Sequence, residues 1–328
     1  MKIHFLNVGH GDCTIIEHDS GRITMVDINN GESLDETSAQ EIAEETPSLY
    51  DDTQFALAKA LGIKLSGRLV EGALKTAGYD VQLTNPVEYF KHRFPGREIF
   101  RYIQSHPDLD HMRGLNALRN EGIVIRNVWD TMHAKVPDLN TDNDRADWHR
   151  YTRLRSGSWL QQKDVKVLRL FRDAANPHYN QNADLSDGGD GIYILAPTQE
   201  TNLAARLSGN HNNLSYVLCL IANGWKIILG GDAESNVWKS IHEEYGDNLK
   251  CDILKASHHG RDSGYYQPAV KAMSPTYTIV SVGKKPSTDA SNKYRSYCEN
   301  VWSTRWRGNI VMNIPINAQP TVYQEFPR

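Results

Sequence analysis

The sequence of 328 residues predicts an α/β protein built from two β-sheets, each flanked by helices. Three observations predict it. Short β-branched runs bounded by turn residues crowd both ends of the chain. Ala- and Glu-rich stretches of helix-forming composition lie between them. The composition, 39% hydrophobic and 9% aromatic, is that of a globular chain and carries no repeat or low-complexity tract.

In chain order, Lys2 to Asn7, Thr14 to Glu17 and Ile23 to Ile28 read as a strand meander, with Asp19-Ser20-Gly21 as a turn. Ser38 to Glu45 and Gln54 to Leu61 favour helices. Glu98 to Gln104 reads as a strand, Met112 to Asn120 as a helix and Ile123 to Val128 as a strand. Asp130 to Gly191 is polar and irregular, the pattern of an inserted lid, binding loop or oligomer arm. Strand rhythm resumes at Ile192 to Leu195, Ser215 to Ile221, Lys226 to Leu229, Ile253 to Ser257, Tyr277 to Val282, Asn309 to Ile314 and Thr321 to Gln324. Helices are expected at Ala233 to Glu244 and Ser291 to Trp302. The whole reads as one domain over 1–328.

Composition excludes several classes. Four cysteines lie far apart with no C-x-x-C pair, so neither a disulfide framework nor a thiolate zinc site is expected. The N-terminus lacks the apolar stretch of a signal peptide, and no apolar run approaches the ~20 residues of a membrane span, which predicts a cytoplasmic protein without a membrane partner. The net charge of -4 hides two opposed arms. Gly31 to Ala60 holds eight acidic residues against Lys59, whereas His149 to Arg172 holds seven basic residues against Asp164.

The most informative segment is Ser105-His106-Pro107-Asp108-Leu109-Asp110-His111, between a strand and a helix. His106, Asp108 and Asp110 alternate along an extended loop and the turn into the helix brings His111 beside them. Imidazole and carboxylate without thiolate suit a catalytic zinc or manganese site; the bland reading is a capped turn with incidental histidines. Lys255-Ala256-Ser257-His258-His259-Gly260 and Gly230-Gly231-Asp232 also end apolar strands, where layered α/β folds gather their active sites.

Together with Asn7-Val8-Gly9-His10-Gly11-Asp12, Met25-Val26-Asp27 and Asn212-Asn213-Leu214-Ser215, these motifs, in this order, resemble the metallo-β-lactamase fold, and within it the hydrolase domain of the ComEC/Rec2 competence proteins. The resemblance implies an αββα sandwich with insertions at about 31–95 and 130–191 and a site for two divalent metal ions, zinc before manganese. His106, Asp108, Asp110 and His111 match the HxHxDH signature, with Asp108 at the second histidine position. Asp232 matches the bridging carboxylate, and His258 or His259 the last histidine, with His259 preferred. Asp27 matches an early-strand aspartate that supports the site. Asn212, Asn213 and Ser215 stand where the wider family has a further histidine, so one metal position is expected to be weak. Lys285-Pro286-Ser287 replaces a His-Pro pair. The channel segments of the competence proteins have no counterpart, so DNA uptake is not expected.

The resemblance implies hydrolysis by metal-activated water, with Asp110 and Asp232 as the catalytic carboxylates. Asn213 and Ser215 would support the site, and Lys255 or Lys284 would neutralise a phosphate. The basic segments Arg150 to Arg172 and Lys284 to Arg307, interleaved with Tyr294, Trp302 and Trp306, favour a phosphodiester of a nucleic acid or nucleotide. The rivals are a lactone, lactam or thioester hydrolase on the same site, and a non-catalytic scaffold or sensor. The insertions would set substrate choice or oligomerisation. The histidines at 4, 10, 18, 92, 133, 149, 178 and 242 lack ligand-like spacing and are expected to be surface or hydrogen-bonded residues.

Overall fold

The computed structural model describes residues 1–31, 36–44, 46, 49, 53–61, 67–160, 165–174, 189–283 and 287–326. One sheet contains β1 (Lys2–Phe5), β2 (Thr14–Glu17), β3 (Ile23–Val26), β4 (Ile99–Ile103), β5 (Ile125–Trp129), β6 (Lys166–Leu168), β13 (Ile310–Asn313) and β14 (Thr321–Gln324). The other contains β7 (Ile192–Ala196), β8 (Val217–Ala222), β9 (Trp225–Leu229), β10 (Ile253–Lys255), β11 (Tyr277–Val280) and β12 (Asn300–Ser303). Their orders are β14-β13-β1-β2-β3-β4-β5-β6 and β12-β11-β10-β9-β8-β7. Both sheets are mixed: β3 to β6 run parallel in the first and β9 to β12 in the second.

The helices are α1 (Glu36–Glu44), α2 (Thr53–Ala60), α3 (Gly67–Thr76), α4 (Pro86–Arg93), α5 (Leu115–Asn120), α6 (Asp142–Leu154), α7 (Gln199–Ser208), α8 (Ser235–Tyr245), α9 (Gln267–Met273), α10 (Ser291–Tyr294) and α11 (Thr304–Arg307). Strand side chains alternate between two buried faces, which produces the four layers. Ile16, Val26, Ile227 and Ile253 point into the core between the sheets. Their neighbours Ile15 and Met25 pack with Phe90 of α4, Leu118 of α5 and Tyr151 of α6. On the far side Ile228 and Leu254 pack with Trp238 of α8 and Val270 of α9. This is the expected αββα sandwich.

Two expectations fail locally. The single helix over Ser291 to Trp302 is instead the short α10 followed by β12, because Val301 and Trp302 pair in parallel register with Thr278 and Ile279, and Trp302 meets Tyr277 edge-on at 5.4 Å. The polar 130–191 stretch contains α6 and the edge strand β6. The buried stripe of α6 is Asp144, Asp147, Tyr151 and Leu154, so two of its four inward positions are carboxylates. Asp144 accepts from Arg113 Nε at 2.8 Å and Asp147 from the Asn116 amide at 2.8 Å, which is why acids are tolerated there and why the helical periodicity is hidden. Among the described residues no helix is long and apolar enough to cross a membrane.

Two buried histidines outside the strand-end loops couple stability to pH. His133 Nε2 lies 2.7 Å from the Tyr151 hydroxyl, and burial, with Arg155 nearby, lowers its pKa to about 3. Burial likewise lowers His18, bonded to Thr24 at 2.8 Å, to about 4. Each stays neutral in the folded chain while the unfolded chain takes up a proton near pH 6.5, so their contribution is complete above that pH and is lost as pH falls toward 4. His133→Gln should flatten this fall by roughly 2 kcal/mol at pH 4.5 in urea titrations; an unchanged slope refutes the assignment.

Candidate metal centre

The histidine- and aspartate-rich loops all leave the C-terminal ends of strands. His106 to His111 follow β4, with a 3₁₀ turn at Leu109–His111; Asp27 follows β3, Asp232 follows β9, and His258 and His259 follow β10. Both histidines of the last pair adopt left-handed φ, 51° and 54°, a tight kink that turns their rings toward Asp232. Asp232 Oδ2 lies 3.4 Å from His111 Nε2, 3.5 Å from His259 Nε2, 3.8 Å from His106 Nε2 and 3.9 Å from His258 Nε2. Asp110 Oδ2 lies 3.5 Å from His259 Nε2 and 3.9 Å from His111 Nε2. His106, His111, Asp232 and His259 are buried.

The donor set fits a divalent cation. The Nε2 atoms of His106, His111 and His259 and Oδ1 of Asp232 are buried yet complete no hydrogen bond of good geometry, although such atoms are costly to leave unpaired. Burial opposes charge on His111 and His259, but Asp232 and its neighbouring carboxylates outweigh it and raise both pKa values. Burial also opposes ionisation of Asp232, yet His259, His111 and His106 hold it well below the usual carboxylate range. The site therefore draws positive charge inward, and a bound cation would displace the imidazole protons.

The supporting residues lie behind these groups. Asp27, at φ 57°, accepts from His111 Nδ1 at 2.8 Å, from the Ser105 hydroxyl at 2.6 Å and from the Ser105 amide at 2.7 Å. That fixes the His111 ring with Nε2 facing Asp232. Asp27→Asn should weaken metal affinity by about 10- to 100-fold with little change in fold, measured by chelator competition; unchanged affinity would remove Asp27 from the support. Ser215 Oγ accepts from the Asp232 amide at 3.0 Å, and Asn213 Oδ1 from the Glu234 amide at 3.0 Å, so both brace the turn that carries Asp232.

Other expectations change. Lys255 is 3% exposed and its ammonium is paired with Asp12. Lys284 lies outside the described residues. The basic arm is largely engaged within the fold: Arg155 and Arg169 approach Asp130 at 3.0 and 3.9 Å, and Arg172 approaches Glu244 at 3.8 Å. His10, given no role from its spacing, stands with Asp110 and His259 as a group that could hold an ion, its Nε2 3.8 Å from Asp110 Oδ2. Gly11 makes this approach possible. At φ 141°, a Cβ there would lie 2.4 Å from the Asp110 carbonyl oxygen, so only glycine lets the β1–β2 loop run against the His106–His111 loop. Asp12, also overlooked, groups with Asp232 and His259. The signal for both was the His10-Gly11-Asp12 motif itself.

No family model matches the chain. Part of it is 28% identical over 116 residues to Competence protein ComA of Neisseria gonorrhoeae, covering 34% of this chain and 16% of that protein. A similar part is 28% identical over 126 residues to ComE operon protein 3 of Bacillus subtilis (strain 168), covering 38% and 15%. The likeness to competence proteins thus stands at low identity, and spans about a sixth of these relatives' length. Two solved structures align at TM-score 0.42: the metallo-β-lactamase fold protein YhfI from Bacillus subtilis, 9% identical over 92% of this chain and 96% of its own, and a variant of the CmlA β-hydroxylase, 11% identical over 94% and 53%. The strand-end loops bring together the side-chain groups that could hold a metal ion.

Proposed function

We propose that the protein is a metal-dependent hydrolase acting on a phosphodiester. The observation that carries the substrate class is the pair of cations beside a buried, carboxylate-rich centre: Lys135 against Asp108, and Arg261 with a guanidinium nitrogen 3.3 Å from His10 Nε2. Both stand where an anionic group would approach. A divalent ion bound by His106, His111, His259, Asp110 and Asp232 would supply Lewis acidity and lower the pKa of water to about 7. Asp110, whose side chain is 23% exposed, is placed to accept the proton of an attacking water. Asp232 holds the histidine rings in register, and Asp27 orients His111 from behind. Arg261 and Lys135 then steady the phosphoryl oxygens.

One zinc- or manganese-loaded sample offered a chromogenic phosphodiester, a single-stranded oligonucleotide, a lactam and a thioester tests this. Turnover of the phosphodiester, with oligonucleotide affinity falling as salt rises, is expected. Turnover confined to the lactam or thioester would overturn the substrate class. The scaffold reading has one observation of its own, Asn212 and Asn213 in place of a histidine. Well under about one ion per purified chain would favour it.

A further inference from the structure

Lys135 belongs to the stretch between β5 and α6 and reaches back to Asp108, the residue at the second histidine position of the signature. Its placement is built. Asp130, fully buried, accepts from the Tyr151 hydroxyl and pairs with Arg155 at 3.0 Å. His133 bonds the same hydroxyl at 2.7 Å and stacks on the Tyr151 ring, their planes 6° apart. The Lys135 amide then donates to His133 Nδ1 at 3.2 Å. Three successive anchors thus deliver the ammonium to the Asp108 carboxylate.

Asp108 is set apart from the other carboxylates. Asp12, Asp27, Asp110 and Asp232 each fall within a group of three or more convergent ligand atoms among the described residues, whereas Asp108 falls in none and meets His106 Nε2 at 3.6 Å. Its carboxylate already faces a fixed positive charge, which a divalent ion would have to displace or repel. We propose that Lys135 takes the place of the second metal: one divalent ion is held tightly by His106, His111, His259, Asp110 and Asp232, while the Lys135 ammonium, anchored on Asp108, is the second positive charge offered to the substrate. This rests on the metal-dependent reading above and specifies its stoichiometry. It also gives the 130–141 segment a role in the reaction, as the arm that carries this charge.

The test counts tightly bound Zn²⁺ on the full chain by elemental analysis after dialysis against zinc alone. The wild type should retain about one ion, Lys135→Met about two, Lys135→Arg about one, and the Lys135→Met/Asp108→Asn pair about one again. Asp108→Asn alone addresses the question without touching Lys135: the count should stay at about one, because Asp108 holds no ion in the wild type. Two ions on the wild type, with one lost in Asp108→Asn, would overturn the inference and leave the metal-dependent reading intact. So would a count unchanged between the wild type and a folded Lys135→Met. No ion on any of the proteins would overturn both.

Discussion

Asp232→Ala is expected to reduce metal-dependent turnover by on the order of 10³-fold or more while leaving the fold in place. The carboxylate is 3% exposed and lies within 3.9 Å of four histidine Nε2 atoms, so its removal dismantles the centre at its middle. The backbone at this position is bonded to the Ser215 hydroxyl, an interaction that alanine keeps. The variant should therefore retain its far-ultraviolet circular dichroism and cooperative melting while failing to retain zinc. His111→Ala should behave alike, since His111 faces both Asp232 and Asp110. Wild-type turnover in either variant would remove the proposed centre.

Asp12→Ala is expected to cost about 3–5 kcal/mol in stability, because it strands the Lys255 ammonium in a buried position. Asp12 and Lys255 are 2% and 3% exposed, and they join the β1–β2 loop of one sheet to the end of β10 in the other. Replacing both together, as Asp12→Leu with Lys255→Met, should recover most of the loss, since a buried pair is worth little against apolar residues of similar volume. Urea titration of the two variants decides it. A loss below about 1 kcal/mol in Asp12→Ala would show that solvent reaches the ammonium.

Much of this was legible from residues whose local pattern agrees with their tertiary setting. β2 and β14 fall where their alternation places them, Thr14–Glu17 and Thr321–Gln324. The strand-end motifs converge because parallel strands carry their C-terminal loops to one edge. What escaped was encoded in partners far along the chain. α6 hid its inward face behind Asp144 and Asp147, whose partners are Arg113 and Asn116. The ion pair of Lys255 joins it to Asp12, 243 residues away. His10 lacks spacing because the group it joins is assembled across two loops and a second sheet.

The centre gathers its side chains from both sheets, His106, Asp110 and His111 from one and Asp232 and His259 from the other. An ion held between them is at once a reagent and a clasp. Its binding energy adds to the stability of the closed sandwich by mass action, about 4 kcal/mol when free metal exceeds its dissociation constant a thousandfold. Scarcity of the ion would then be felt as a change in the protein's lifetime as well as in its rate, with the β4, β9 and β10 ends opening to proteases first.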